Sequence, residues 1–256
     1  MDKEYIKKLA SDPNFIPGVY NYCDRWCERC AFTSRCMNFA LSEEHFADPE
    51  THDINNKAFW EKLSEIFQLT LEMVKETARD QGIDLDALDL QAGEDECKSI
   101  RNVAENHECC LAAESYSNWV TKWFDSAENL FEEKTDELNQ QARLGLPALD
   151  PAGQASGIEE AINIIRWYQH FIYVKLIRAV QGTLDDFASD SDGSAKVALI
   201  AIDRSIGAWG QMYEHFPQSQ DDILDVLVHL EKLRRKALIA FPNAMAFIRP
   251  GLDSDS

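Results

Sequence analysis

Four of the chain's seven cysteines, Cys23, Cys27, Cys30 and Cys36, fall in one short segment, FIPGVYNYCDRWCERCAFTSRC, with the spacing C-x3-C-x2-C-x5-C. The other three are Cys97, Cys109 and Cys110. An odd cysteine count makes a poor disulfide framework. The opening residues MDKEYIKKLASDP lack the apolar core of a signal peptide, so the thiols are expected to stay reduced in the cytoplasm. Clustered thiols in such a compartment hold a metal or carry out redox chemistry. On a helix each residue advances about 100°, which puts Cys23, Cys27 and Cys30 within roughly 60° of one another. Cys36 then returns from the following turn to complete a quartet of donors. Tyr22 and Trp26 are expected to shield that face, and Arg25, Arg29 and Arg35 to offset the negative charge of a tetrathiolate centre.

Two inorganic centres compete for such a quartet. Zinc is usually held by two Cys-x2-4-Cys knuckles with a longer loop between them, and no such loop separates these four. A [4Fe–4S] cube accepts closely spaced cysteines from one winding strand, so the cluster is favoured over zinc. The C-x2-C-x5-C half, CERCAFTSRC, resembles the cluster-binding spacing of WhiB-like regulators and of endonuclease III-type DNA glycosylases. The likeness spans about ten residues and implies a [4Fe–4S] ligand set. The Gly-Trp motif of the first family and the helix-hairpin-helix of the second are not apparent, so neither function transfers. The C-x3-C-x2-C half also matches radical-SAM spacing, but that fold requires repeated βα units.

Other chemistry is sparse. The Glu-x-x-His pairs of a di-iron bundle do not occur, and the histidines at 45, 52, 107, 170, 215 and 229 are scattered. Asp225 and His229 form an i, i+4 pair that reads as a surface hydrogen bond. The D-x-D-x-x-D run at 84–89 lacks the glycine and terminal glutamate of an EF-hand. Lys175 falls in the apolar arc of its helix, where a charge is costly unless paired. Asp203 is its expected partner, in a structural ion pair rather than a reactive site. Cys109 is expected to pack as a small hydrophobe and Cys97 to be exposed. No phosphate loop, nucleophile elbow or dinucleotide fingerprint is present.

The elements that must position these residues read as helices. Apolar spacing predicts a helix over about 58–81, with Phe59, Leu63, Phe67, Leu71 and Val74 in a stripe, then a solvated acidic connection over 82–96. One long helix is expected over about 98–143 and a break over 144–157, with Ser156 and Glu159 as a capping box. Further helices follow over 157–180, 195–216 and 219–240, with SDSDGS at 189–194 as a loop and Pro217 as a stop. The expected fold is all-α: an antiparallel bundle of about five long helices over 58–256, with a Cys-rich metal-binding segment over 1–57 packed on it.

With 256 residues, 45% of them hydrophobic, the chain has a globular composition. Its net charge of -20 disfavours general nucleic-acid binding and anionic membranes. No run approaches a membrane span. The expected role is redox sensing, electron transfer or accessory work for a partner protein, through a [4Fe–4S] cluster. The alternatives are a zinc-stapled acidic interaction module and an enzyme with a pocket inside the bundle.

Overall fold

The computed structural model describes residues 3–46, 48–87, 89–145, 149–184 and 188–253. All regular structure among them is helical, with no strand. Nine α-helices follow in order: α1 Lys3–Ala10, α2 Met37–His45, α3 Lys57–Asp80, α4 Leu90–Glu105, α5 Glu108–Ser126, α6 Glu128–Leu144, α7 Pro151–Leu184, α8 Ala188–His215 and α9 Gln220–Ala240. None is long and apolar enough to cross a membrane. Contacts group the chain into two compact units, 1–96 with 248–256, and 97–247.

The second unit carries the dense core. Its bundle is a ring of four helices rather than five: α5 packs against α7 and α9, and α8 packs against the same two, while α6 lies on α7. Apolar residues at i, i+3, i+4 and i+7 give each helix an inward face. Ile165, Tyr168, Ile172, Leu176 and Ala179 of α7 are all fully buried. Trp123 meets Trp209 edge-to-face at 5.0 Å, and Phe131 meets Phe216 likewise at 5.3 Å. Burying side chains of this size contributes about 1.5–3 kcal/mol each.

Several expected boundaries move, each for a local reason. The predicted 98–143 helix is three segments. The first break comes at Asn106, whose side-chain amide donates to Asn102 O, followed by His107, whose Nδ1 caps α5 by accepting from Cys109 N–H at 3.2 Å. The second comes at Ala127, between α5 and α6. The acidic connection is half helix: Asp89 Oδ1 accepts from Ala92 N–H at 3.0 Å and starts α4 at Leu90. The predicted break over 144–157 shortens, apart from 146–148, which lie outside the described residues. Asp150, not Ser156, caps α7, accepting from Gly153 N–H at 2.9 Å with Pro151 in the first helical position.

The SDSDGS loop is instead the first turns of α8. Small polar residues let α7 and α8 approach closely there. Ser191 Oγ donates to Ala179 O at 2.7 Å, and Arg178 makes a two-pronged pair with Asp190 at 2.7 and 2.9 Å. A Cβ on Gly182 would lie 3.0 Å from the Ser191 backbone nitrogen, so only glycine fits without a shift.

The first unit is built otherwise. α1 is tied to α3 by Lys3 with Glu72 at 3.1 Å and Lys7 with Glu76 at 3.0 Å. The predicted stripe of α3 forms a helix but does not face inward as a whole: Phe67 is 65% exposed, and Leu71 and Val74 are also exposed. A second apolar line, Ile66, Leu69 and Met73, joins Val74 in facing a groove of about 850 Å³ shared with Ile6 and Leu41. Among the described residues of this unit only Val19 and Ala78 are buried.

Candidate metal centre

Glycine, proline and aspartate in the segment after α1 break the helix that the cysteine spacing invites. Gly18 takes φ +76°, and Arg25 stands at φ +60°, a conformation L side chains rarely adopt. Asp24 Oδ1 accepts from Trp26 N–H at 3.2 Å, closing a side-chain turn at that point. The three thiols therefore do not share a helical face. Cys27–Arg29 and Thr33–Arg35 are single 3-10 turns, each closed by the next cysteine: Cys30 N–H donates to Cys27 O and Cys36 N–H to Thr33 O. Ile16 N–H donates to Arg35 O at 3.0 Å, folding the start of the segment beside its end. Cys36 also occupies the cap position of α2.

These turns achieve by tertiary folding what the helix was expected to do. Cys23, Cys27, Cys30 and Cys36 all line one hollow, together with Val19, Phe32 and Phe39. The hollow is small, about 20 Å³, with room for about one water molecule. Burial pushes the Cys27 thiol above its ordinary range, and Cys23, Cys36 and Cys30 add to the effect, because a thiolate is disfavoured beside other thiolates. Phe32 N–H donates to Cys30 Sγ at 3.4 Å, a contact that favours negative charge on sulfur.

Neighbouring residues take roles the spacing did not assign. Tyr20 lines the hollow, and Cys23 Sγ sits 3.6 Å from its carbonyl oxygen; Tyr22 is not part of the lining. Trp26 lines it and carries the Arg29 guanidinium 3.8 Å above its ring. Of the three arginines, Arg25 lines the hollow, while Arg35 donates from Nε to Asn14 O at 3.3 Å. Leu252, remote in sequence, completes the wall. The Pro-Gly pairs at 17–18 and 250–251 signal turns, but nothing in the linear order says that the two turns meet.

Among the described residues, no three His, Cys, Asp or Glu side chains are gathered tightly enough to hold a metal ion. A tetrahedral zinc with bonds of about 2.3 Å would draw its sulfurs to about 3.8 Å from one another. The four cysteines thus line one hollow but are not gathered as the ligands of a single ion.

The remaining expected features are structural. In place of the pairing with Lys175, Asp203 accepts from Arg234 Nε at 2.6 Å. The α7–α8 register explains this. Arg178 meets Asp190 and Tyr168 meets Arg204, so Asp203 lies opposite a point about two turns from Lys175. Lys175 is buried, its Nζ 5.4 Å from the centre of the Phe171 ring. His229 Nε2 bonds Ala112 O at 2.8 Å. Cys109 and Cys110 are both buried and Cys97 is exposed. Ser117 Oγ lies 2.7 Å from His170 Nδ1, the geometry of a nucleophile and its base. Ser117 sits mid-helix, however, where backbone N–H groups are committed to the helix and none is free to hold an oxyanion.

No family model, no curated protein and no solved structure matches this chain.

Proposed function

We propose that the hollow is the seat of a [4Fe–4S] cluster held by Cys23, Cys27, Cys30 and Cys36, and that the chain uses it in redox sensing, electron transfer or accessory work for a partner protein. The observation that carries the reading is that all four thiols, and no other cysteine, line one hollow. A cube presents its four irons at separated corners, so its ligands stand farther apart than those of a single zinc ion. Seating the cube would require the hollow, which has room for about one water molecule, to widen as the cluster is loaded. The sparse core of the first unit supports the reading from another side, since a unit that buries little apolar surface gains most from an inorganic cross-link.

Held by Cys23, Cys27, Cys30 and Cys36, such a cluster would supply one-electron redox chemistry. Phe32 N–H at Cys30, Arg25 in the wall and the apolar lining set how costly the extra charge is. A reducing compartment such as the cytoplasm would keep all four thiols available as ligands. The test is anaerobic purification with iron, sulfide and zinc analysis and a visible spectrum. Iron and acid-labile sulfide near four per chain, with brown colour lost in each Cys→Ser variant, is the expected result. Colourless protein with one zinc per chain would replace the cluster with a zinc staple, and protein with neither metal would end the reading.

A further inference from the structure

The wall of the hollow includes one residue from far along the chain. Leu252 lines it together with Val19, Phe32, Phe39 and the four cysteines. It is presented by a tight turn. Arg249 donates from its backbone N–H and its guanidinium to the Asp253 carboxylate, at 3.0 and 2.7 Å, in a pair that is mostly covered. Gly251 takes φ +71° and lies so close to Ile16 that an added Cβ would come within 2.8 Å of Ile16 Cδ1 and Cγ2. One residue further back, Pro250 Cγ is 3.8 Å from the point where a Cβ on Gly18 would sit. The turn is seated on the strip that leads into the cysteine segment, and Gly251 is required for that seat.

We propose that Leu252, held by the Arg249–Asp253 turn, is a positioning residue of the metal centre that closes it against water and small chelators. The proposal rests on the metal-centre reading above. It follows from what surrounds the thiols: the cysteine segment supplies the donors and three apolar residues of the wall, and the turn supplies another. Removing the Leu252 side chain opens a path for water to the metal and its thiolates. Ligand exchange then quickens, because an incoming chelator needs that path. The electrostatics change in parallel. Added water stabilises the more highly charged reduced cluster, so the midpoint potential rises.

The experiment uses the full chain, loaded anaerobically, in wild-type form and as Leu252→Ala, Leu252→Met and Gly251→Val. Bleaching of the visible absorption is followed after adding 2,2′-bipyridine. Leu252→Ala and Gly251→Val are expected to bleach about ten-fold faster than wild type, the scale on which groups outside the ligand shell tune metal sites. Leu252→Met, which keeps the apolar bulk, is expected to bleach at the wild-type rate, and only Leu252→Ala and Gly251→Val to raise the potential. Thermal melting of the helical bundle should be the same in all four, separating loss of the wall from loss of the fold. Wild-type bleaching rates and potential in loaded Leu252→Ala and Gly251→Val would overturn the role of Leu252 and leave the centre standing. A wild-type chain that loads no metal would overturn both.

Discussion

The two units solve the same problem of holding a chain together with different means. The second is stabilised by burial: Trp209, Tyr116, Phe216 and much of α7 are out of water, and the Tyr116 hydroxyl accepts from Trp209 Nε1–H at 3.1 Å. The first buries only Val19 and Ala78 among its described residues, and leaves Trp60, Phe67, Leu71 and Val74 of α3 exposed. Its order depends on short turns, on ion pairs such as Lys7 with Glu76, and on the four-thiol hollow. Exposed ion pairs contribute about 0–1 kcal/mol each, so they do not replace a core. The contrast teaches that in this chain the four clustered thiols sit where hydrophobic stabilisation is weakest, in the unit that would gain most from the proposed metal.

The sharpest way to break that contrast is to compare the chain with and without the proposed metal. A structural metal site supplies on the order of 10 kcal/mol to the fold it organises. Stripping the loaded protein anaerobically is therefore expected to abolish amide-exchange protection in residues 11–46 and to leave that of α7 and α8 unchanged. Equal protection with and without metal would show that the turns hold themselves.

A smaller effect comes from substitution at matched residue types. Trp209→Ala removes a fully buried ring and is expected to cost about 3–5 kcal/mol, read as a fall in the urea midpoint of the bundle. Phe67→Ala removes an aromatic that is 65% exposed and is expected to change stability by no more than about 0.5 kcal/mol. Similar losses for the two would erase the distinction between the units.

The mildest test is alkaline pH. Burial pushes Cys109 up to about 11 and Cys110 up to about 12, from an ordinary 9.0. The unfolded chain releases these protons first, near pH 9, so the folded state's preference for neutral thiols is intact below that pH. It is lost progressively as pH rises towards 11 to 12. The urea midpoint is expected to decline over that window in wild type and to decline less in the Cys109→Ala, Cys110→Ala double variant. Over the same range the exposed Cys97 should react readily with a thiol reagent while Cys109 and Cys110 stay protected.

Much of this architecture was legible from spacing. The helices around Phe59–Val74, Ala113–Val120 and Ile223–Leu233 follow from side chains recurring every three or four residues, which is a local relation. Where the pattern misled, a tertiary contact had changed the meaning of a local signal. The SDSDGS run has the composition of a loop, yet Ser191 and Asp190 are what allow α8 to lie against α7 at Gly182. The cysteines have helical spacing, yet Gly18 and the Arg25 backbone hold them in turns. Lys175 and Asp203 looked like partners on paired wheels, but wheels carry no register between helices.

By itself, then, the sequence determined an all-α chain, four clustered thiols, a packed Cys109 and an exposed Cys97. These depend on residue type and on neighbours within a turn or two. Only the tertiary structure decided that the four thiols share one hollow without lying on one helix, that Tyr20 and Leu252 wall it, and that Asp203 belongs to Arg234. Such pairings join residues tens to hundreds of positions apart. They are selected by packing and chain closure, which no local periodicity encodes.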